Sequence, residues 1–475
     1  MTKYKSNIMT QANWIHYLWI GIFFFSCNGK DQPKSDTPRT NLIVIMTDDM
    51  GWADVGFNGC KDIPTPNIDL IANEGVRFTD AYVSFPVCGP SRAGFLTGRY
   101  QDRFGFTTNP TIDPENSTAG LPIEEETIAQ VLKKADYKSA IIGKWHMGTH
   151  PVFHPLERGF DYFFGFLSGG HNYYADQLVL EDLSQVTKKW DWYRTKIVEN
   201  RNTVETQDYL TDELSAAAVR FINLQSAENQ HFMLYLAYNA PHTPLQATEK
   251  YLSRFPNIQD SKRKTYAAMV SAVDDGVGRV LQAVEANGIA ENTIIVFLSD
   301  NGGAKNNASI NAPLRGAKGD LFEGGIRVPF AMRWKGVIPS AQTFKKPVSS
   351  LDIMATIVAQ NDIEIANERP LDGVDLIPFL TGKIQGDPHD LLFWRKWEQN
   401  AMAVRQGNYK LVANNAQENS PPKLYNLPFD INEGSNIERE ERQIYDTLML
   451  KWNNWNAEMK DRTFPTLGED VWWTN

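Results

Sequence analysis

Cysteine is scarce in this sequence: the 475 residues include only three, Cys27, Cys60 and Cys88. No two of them form a Cys-x-x-Cys pair, and no Cys and His spacing typical of a zinc site is present. The sequence is therefore neither a disulfide-dense scaffold nor a cysteine-based zinc module. If Cys27 is consumed by a modification, Cys60 and Cys88 remain as one possible disulfide pair, and this alternative stays open at this point.

An excess of positive charge is also absent. Lys and Arg number 47 and Asp and Glu 57, which gives a net charge of −10. Such an acidic chain argues against nucleic acid as the main partner, although a small basic pocket for an anion can be hidden in this average. Internal repeats are lacking, and the length suffices for one large α/β domain and a smaller one.

A long apolar run occurs near the N-terminus and is short for a membrane span. It extends from Trp14 to Phe25, follows Lys3 and Lys5, and closes with "FFFSC". This arrangement resembles a bacterial lipoprotein signal, with Cys27 as the lipidated first residue of the mature chain. A plain signal peptide and a short anchor are the alternatives. We expect an exported protein, in the periplasm or at the outer membrane, attached to the membrane through a lipid anchor only.

Four shorter apolar runs predict strands that are buried on both faces. Each run leads directly into a polar segment: "TDDMGW", "KWHMG", "NAPHTP" or "DNGG". Helix-like stretches such as Glu125–Ala135 and Ala267–Ala286 separate the runs, which predicts a parallel sheet with helices on both faces. Because ligands bind beyond the carboxyl ends of parallel strands, we expect the polar segments to share one site. The predicted strands are Asn41–Met46, Ser139–Gly143, Phe232–Tyr238 and Asn292–Ser299.

Two of these polar segments carry adjacent oxygen-bearing side chains. Asp48 and Asp49 follow the first predicted strand, and Asp300 and Asn301 follow the last. Four such side chains on one rim suit a hard divalent cation such as Ca²⁺ or Mg²⁺. The alternative is that they are turn and cap residues, since Asp and Asn favour strand ends.

Basic side chains are expected at the same rim. Together they would line a pocket for a tetrahedral anion, and the histidines can move protons near neutral pH. Taken singly, a Lys or Arg is usually a solvated surface charge and a His is more often structural. The candidates are Arg92, Lys144, His146, His242 and Lys318.

The segment around Cys88 resembles a known family. "CGPSR" matches the C-x-P-S-R signature of the type I sulfatases, within the alkaline-phosphatase-like superfamily, and "GFLTGRY" follows it. "TPNIDLIANEGVRFTDAYVSFPV", "IIGKWHMG", "GAKGDLFEGGIRVP" and "DGVDLIPFLTG" resemble further segments of that family in its order, from Asn41 to about Gly382. The resemblance implies an α/β fold: an alkaline-phosphatase-like sandwich with a large, mostly parallel central sheet flanked by helices, plus a small C-terminal antiparallel subdomain.

The resemblance implies an unusual fate for Cys88. In that family a maturase oxidises the cysteine to formylglycine (3-oxoalanine) before folding is complete, so Cys88 would be neither a disulfide partner nor a working thiol. The hydrated aldehyde has one hydroxyl that attacks sulfur and a second that later expels sulfate. Pro90 disfavours helical geometry at Gly89, which suits reading as an extended peptide, and the helix is expected to begin at Ser91.

The family's roles carry over to matching positions of this sequence. Asp48, Asp49, Asp300 and Asn301, with the modified Cys88, would bind Ca²⁺, or alternatively Mg²⁺. Arg92 and Lys144 would orient the hydrated aldehyde, and His146 would accept a proton from it. His242 and Lys318 would hold the sulfate and protonate the leaving sugar oxygen. Ser168 and His171 are candidates for substrate contact. His150 and His154 could contact substrate or shape a turn, and we interpret them as turn-shaping residues.

The remainder of the chain predicts the domain organisation. Short antiparallel strands and a helix over Glu438–Met459 indicate a separate subdomain, in which Trp394, Arg395 and Trp397 are interpreted as an interface cluster rather than as substrate contacts. The expected boundaries are a signal at 1–27, a tether at 28–40, a catalytic domain at 41–385 and the subdomain at 386–475.

The resemblance implies a sulfatase that desulfates polysaccharide-derived oligosaccharides, from algal polymers such as ulvan or carrageenan, or from glycosaminoglycans. Its partners would be that sulfated substrate and, transiently, the maturase. One alternative is a phosphomonoesterase or phosphodiesterase of the same superfamily, which usually holds two zinc ions and a Ser or Thr nucleophile. Another is a non-catalytic, glycan-binding surface lipoprotein.

Overall fold

The structure, a computed structural model, describes residues 39–365, 368–414 and 421–466. The predicted signal with Cys27, and the predicted tether up to residue 38, lie outside the described residues. Within the described ranges, no helix combines the length and the apolar character needed to cross a membrane.

The strands and helices alternate along the first three quarters of the described chain. The strands are β1 (Asn41–Thr47), β2 (Val76–Phe78), β3 (Ala81–Tyr82), β4 (Lys138–Lys144), β5 (Tyr162–Phe166), β6 (Ile197–Glu199), β7 (Asn202–Val204), β8 (Phe232–Ala237), β9 (Thr293–Ser299), β10 (Phe330–Arg333), β11 (Gln342–Phe344), β12 (Val348–Ser349), β13 (Leu392–Lys396), β14 (Ala401–Gln406), β15 (Tyr409–Ala413) and β16 (Lys423–Asn426). The helices are α1 (Pro66–Asn73), α2 (Cys88–Thr97), α3 (Ile128–Lys133), α4 (Leu210–Ala227), α5 (Glu249–Leu252), α6 (Ser261–Ala286), α7 (Glu323–Ile326), α8 (Asp352–Gln360), α9 (Ile377–Leu380) and α10 (Arg442–Asn456).

The central sheet contains ten of the described strands, in the order β11-β2-β10-β9-β1-β8-β4-β5-β6-β7. The four strands predicted from the sequence, β9, β1, β8 and β4, are consecutive in this order and run parallel to one another. Their carboxyl ends therefore meet at one edge, as predicted. Towards both ends of the sheet, antiparallel pairs such as β9–β10 and β5–β6 make the sheet mixed.

Alternate residues of β1 enter two different cores. Ile43 and Ile45 pack in the cluster formed with α1, α4 and α6, whereas Leu42 and Val44 pack in the cluster formed with α2, α3 and α8. All four side chains are at most 1% exposed, which explains the unbroken apolar run. Because burying each such side chain contributes about 1.5–3 kcal/mol, the strands at the centre of the sheet form a rigid base for the loops beyond them.

A second, four-stranded antiparallel sheet follows, in the order β13-β14-β15-β16. Helix α10 packs on one face of it through Tyr445 and Leu448. On the other face, the buried Trp394 contacts Tyr82 with ring centroids 5.2 Å apart, and its indole N–H donates to the carbonyl of Val83 at 2.8 Å. Trp394 therefore packs against the region of β3, as the interface interpretation predicted.

A buried ion pair also connects this small sheet to helix α7. The Lys410 ammonium, on β15, lies 2.8 Å from a carboxylate oxygen of Glu323 and 2.9 Å from one of Glu433. All three side chains are fully buried. Glu323 is the first residue of α7, so the small sheet holds the end of the loop that precedes this helix.

One local prediction is wrong. Helix α2 begins at Cys88 rather than at Ser91, so Gly89 and Pro90 are helical. Proline is tolerated in the first turn because that turn's N–H groups have no partner within the helix. Cys88 consequently lies at the helix N-terminus itself.

Candidate active site

The carboxylates of the site are positioned by the register of the sheet. Thr47 is paired with Ser299 across β1 and β9, which places Asp48 beside Asp300 at the edge of the sheet. The Asp300 N–H donates to the carbonyl of Thr47 at 3.0 Å. Asp49 follows in the left-handed region, with φ of 63°, a conformation that Asp tolerates better than most residues.

Cys88 faces these carboxylates from the first turn of α2. Its sulfur lies 3.4 Å from Oδ1 of Asp48 and 3.1 Å from Nζ of Lys318. A Cβ atom at Gly89 would lie 2.8 Å from the Asn109 oxygen that accepts the Gly89 N–H, so a larger residue there would displace the Asn109 side chain. Burial and the neighbouring Asp48 raise the pKa of the Cys88 thiol to about 12. The residue is therefore a protonated thiol at neutral pH, a poor nucleophile in this form.

Arg92 and Lys144 lie behind the carboxylates, out of contact with solvent. The Arg92 guanidinium pairs with Asp300 at 2.8 Å and reaches Asp48 at 3.9 Å. Lys144 Nζ lies 2.6 Å from Asp48 Oδ2. These two cations hold the acidic side chains in place, because breaking either pair would leave a buried charge uncompensated.

Lys318 completes the ring of charges from the opposite side. Its ammonium lies 2.8 Å from Oδ1 of Asp49, and its side chain is 21% exposed and lines the cavity beyond. The loop that carries it is held by two backbone hydrogen bonds, from Lys318 N–H to Gly303 and from Gly319 N–H to Pro86. The second bond holds Lys318 close to Pro86, which lies two residues before Cys88.

The donor set fits a hard divalent cation. Ligand atoms of Asp48, Asp49, Cys88 and His242 all lie within 4.8 Å of one another. Asn301 is fully buried, its NH₂ donates to Asp49 at 2.8 Å, and its side-chain oxygen has no hydrogen-bond partner. An unpaired buried oxygen beside two carboxylates is what an oxygen-binding cation would satisfy.

The pKa values of the acidic groups point the same way. Burial and the nearby Asp48 raise the pKa of Asp300 to about 6. Burial would raise the pKa of Asp49 as well, but Lys318 and His242 outweigh it and lower that pKa to about 2. Burial and the neighbouring Asp48 thus disfavour the charge on Asp300, and a divalent cation would offset this effect.

Both predicted histidines reach the site from neighbouring strand ends. His242 Nε2 lies 3.6 Å from Asp49, and its Nδ1 lies 2.6 Å from the carbonyl of Thr243, so Nδ1 carries the proton. Burial, together with Lys318, lowers the pKa of His242 to about 4. Burial and the cations Lys144 and Arg92 lower the pKa of His146 well below its usual value. Both rings are therefore neutral until an anion enters.

A cavity of about 590 Å³ opens above this charged floor, a size suited to a ligand larger than a sulfate group. Of the predicted catalytic residues, Cys88, His146, His242 and Lys318 line it, while Arg92 and Lys144 lie beneath. Many of the residues that form the cavity wall were not predicted from the sequence, because their local sequence pattern does not indicate a functional site. The missed lining residues include Asn109, Asn172, Trp190, Tyr193, Arg194 and Asn306.

The two predicted substrate contacts lie outside this lining. Ser168 is buried, and its hydroxyl donates to the carbonyl of Gly170 at 2.8 Å. The buried His171 ring is hydrogen-bonded to Asn172 and stacks on Phe166, with centroids 4.6 Å apart. These contacts give both residues a role in shaping their loop. Their contact with substrate stays a prediction, and their location outside the cavity lining does not support it.

His150 and His154 have the turn-shaping role that was expected. His150 Nδ1 accepts the N–H of Val152 at 3.2 Å, and His154 Nδ1 accepts that of Leu156 at 3.3 Å. Neither of them lines the cavity.

The two cysteines of the described chain are not joined. Cys60 and Cys88 are both free thiols. The Cys60 sulfur contacts Asp62 at 3.2 Å, in a separate region of the molecule. The alternative of a Cys60–Cys88 disulfide is therefore wrong for this structure.

The chain is similar to known proteins in sequence and in structure. Residues 40–363 match the family model of the sulfatases. The chain is 35% identical to N-acetylgalactosamine-6-sulfatase of Mus musculus, over 78% of this chain and 71% of that protein. It is 32% identical to arylsulfatase G of Rattus norvegicus, over 89% and 86% of the two chains. Its structure is similar to that of Ps i-CgsB in complex with k-i-k-neocarrahexaose, with a TM-score of 0.84, 38% identity, and coverage of 90% and 94%.

Proposed function

The chain belongs to the sulfatase family and is a hydrolase of carbohydrate sulfate esters, and we propose that its substrates are sulfated galactose-type sugars of polysaccharide fragments. One observation carries the reaction chemistry: Cys88 lies at a helix N-terminus, between Asp48 and Lys318, on the floor of the cavity. A pair of metal-binding carboxylates, a nucleophile position and a cation meet at that point.

We propose that Cys88 acts as formylglycine and not as a thiol. The raised pKa leaves little thiolate at neutral pH, and within the described residues Cys88 pairs with no other cysteine. Formylglycine, once the maturase has made it, supplies a hydrated carbonyl whose oxygen attacks sulfur. The surrounding residues would hold that group: Lys318 from the cavity side and Asp48 from the sheet side.

Asp48, Asp49, Asp300 and Asn301 would hold the cation, which we propose to be Ca²⁺. When bound, such a cation supplies positive charge for a sulfate oxygen. Arg92 and Lys144 would hold the side chains of Asp300 and Asp48 in place beside it. Lys318 is positioned to neutralise the anionic ester, whose charge otherwise repels a nucleophile.

His146 and His242 are the groups that can move protons in the cavity. Burial lowers the pKa values of both, and a bound sulfate would raise them by charge attraction. Because Nδ1–H donates to the Thr243 carbonyl, Nε2 of His242 would take up a second proton and then donate it to the leaving sugar oxygen. His146 stays the candidate to take a proton from the group at residue 88.

The substrate class is supported by what the similar proteins act on or hold. One relative is named for N-acetylgalactosamine 6-sulfate, and the solved structure holds a neocarrahexaose. Both names denote galactose-type sugars, from a glycosaminoglycan and from the galactan carrageenan. Among the substrates considered from sequence, this favours carrageenan and glycosaminoglycan fragments over ulvan.

A panel of defined oligosaccharides tests this proposal. Protein from a maturase-competent host is incubated with fragments of ι-carrageenan, chondroitin 6-sulfate and ulvan, and released sulfate is measured. We expect release from one or both of the first two, and none from the Cys88→Ala variant. Release from ulvan alone, or of phosphate from matched sugar phosphates at a higher rate, would contradict the proposal. The match of residues 40–363 to the sulfatase family model disfavours the phosphatase alternative.

We also propose that residues 1–27 direct export and that Cys27 carries a lipid. This rests on the sequence pattern alone, since those residues lie outside the described ranges. A Cys27→Ser variant should move from the membrane fraction to the soluble fraction of the cell envelope. An unchanged distribution would favour a plain signal peptide or a short anchor.

A further inference from the structure

The segment Trp190–Arg194, "WDWYR", forms one wall of the cavity, and the reaction described above uses none of it. Trp190, Trp192, Tyr193 and Arg194 line the same cavity as Cys88 and Lys318. A wall rich in aromatic rings and positive charge is unnecessary for holding a sulfate that the floor already binds. Its chemistry therefore points to another part of the substrate.

This wall is fixed in place. Trp192 is 1% exposed and packs with Ile112 and Val186 in a small core of its own. The backbone carbonyl of Tyr193 accepts the N–H of Asn172 at 3.0 Å. A surface with such anchors can bind a ligand without first having to be ordered, which favours affinity.

Trp190 is presented to the cavity in an unusual way. Its backbone is left-handed, with φ of 75°, a conformation rarely adopted by a bulky residue. Its side chain is 49% exposed, and its ring is supported by Trp192 and Tyr193, with centroids 5.3 and 5.6 Å away. A half-exposed indole supported in this way is a platform on which the C–H face of a sugar ring can stack.

Arg194 adds a positive charge at the same wall. Its side chain is 47% exposed and pairs through one nitrogen with Asp191 at 3.3 Å, an exposed contact of small energy. The Lys189 ammonium lies 5.2 Å from the Trp190 ring centroid. On the floor, by contrast, Arg92, Lys144 and Lys318 are paired with the buried carboxylates. Arg194 is thus better placed than they are to bind an anion away from the reacting sulfate.

Resting on the proposed function, we propose that Trp190 and Arg194 form a second sugar subsite. The indole stacks on the sugar next to the one that loses its sulfate, and the guanidinium binds a second sulfate group of the same oligosaccharide. The enzyme consequently prefers multiply sulfated oligosaccharides to sulfated monosaccharides.

Steady-state kinetics on substrates of two sizes test this. The substrates are an ι-carrageenan tetrasaccharide and a chondroitin 6-sulfate tetrasaccharide, compared with galactose 4-sulfate and N-acetylgalactosamine 6-sulfate. Trp190→Ala should lower kcat/KM for the preferred tetrasaccharide about tenfold or more, as loss of an aromatic contact does, and change the monosaccharide value less than about twofold. Trp190→Phe should restore most of the loss.

Arg194→Gln should lower kcat/KM only for a tetrasaccharide that carries more than one sulfate group. The matched controls are Trp397→Ala and Arg201→Gln, at exposed residues that do not line the cavity. A Trp190→Ala effect of equal size on both substrate sizes, or none on either, would overturn the subsite.

A binding measurement separates this proposal from the proposed function. Calorimetric titration of the inactive Cys88→Ala protein with the ι-carrageenan and chondroitin 6-sulfate tetrasaccharides reports affinity without turnover. If the wild type releases sulfate from no substrate, the proposed function fails. Weaker tetrasaccharide binding caused by Trp190→Ala would still support the subsite in that case. If the variant that combines Cys88→Ala with Trp190→Ala binds the tetrasaccharides as tightly as Cys88→Ala alone, the subsite proposal is overturned.

Discussion

The Lys318 ammonium lies 3.1 Å from the sulfur of Cys88, and it pairs with Asp49 at 2.8 Å on its other side. One side chain thus connects the nucleophile position to the acidic cluster. It comes from a loop that is more than 200 residues away from Cys88 in sequence, so only the fold brings these groups together.

Replacing Lys318 should therefore impair turnover more than folding. We expect Lys318→Met to lower kcat by roughly 10²–10³, the effect of removing one preorganised stabilising group. The measurement is sulfate release under saturating substrate, with the melting temperature recorded in parallel. Lys305→Met is the control, because the Lys305 side chain is 75% exposed and pairs with Asp320 at 3.2 Å, away from the carboxylates of the site. Equal losses in both variants would contradict the role of Lys318.

Removing the cation should abolish activity reversibly. Dialysis against a chelator should stop sulfate release, and added Ca²⁺ should restore it and raise the melting temperature, since a ligand bound to the folded state stabilises it. Asp300→Asn should reduce bound metal and lower kcat/KM about 100-fold or more. Asp275→Asn, at a surface ion pair with Arg254, should retain both. Full activity of metal-free protein would exclude the assignment.

Asp102 should make stability depend on pH. Its burial raises the pKa to about 7, with Glu398 acting in the same direction and Arg395 against it. Between about pH 4 and pH 7 the folded chain retains a proton that the unfolded chain has released. The free energy of unfolding therefore falls as pH rises through this window, by at most about 4 kcal/mol.

Asp102→Asn removes this dependence, because an amide does not titrate. Melting temperatures of the wild type and the variant should be similar near about pH 4, and the variant should be relatively more stable at about pH 8. Asp446→Asn, on an exposed helical pair with Arg442, serves as the control. If Asp102→Asn keeps the wild-type pH profile, the buried carboxyl is not its source.

Lys410→Met should destabilise the whole chain. It leaves the buried carboxylates of Glu323 and Glu433 without their shared cation, which costs about 3–5 kcal/mol when one partner of a buried pair is lost. Chemical denaturation followed by fluorescence measures this loss. Lys423→Met, at an exposed position of the same sheet, should change it by less than about 0.5 kcal/mol. A similar value for both variants would show that the buried pairs contribute little.

The sequence predicted the centre of the fold well. Strands β9, β1, β8 and β4 are buried on both faces, so each leaves an unbroken apolar run, and the polar residues that follow are adjacent in space because the strands are parallel. Asp48 and Asp300 illustrate this, since strand pairing alone places them together. The mixed edges of the sheet left no comparable pattern in their short strands.

The cavity wall could not be predicted for a different reason. The segment that carries Trp190 and Arg194 is held by a small separate core around Trp192 and by the hydrogen bond between the Asn172 N–H and the Tyr193 carbonyl. The local sequence pattern predicts neither contact. Ser168 was chosen because it lies near a recognisable segment, whereas its hydroxyl is used within its own loop. The helix start at Cys88 was missed because Pro90 was expected to delay it.

The chemical state of residue 88 tests the account most directly. Mass spectrometry of the tryptic peptide Phe78–Arg92, from active protein made with the maturase, should show an aldehyde in place of the thiol. Sulfate release per mole of protein should rise in proportion to the aldehyde fraction across preparations. An unmodified thiol in protein that releases sulfate at the full rate would contradict the account.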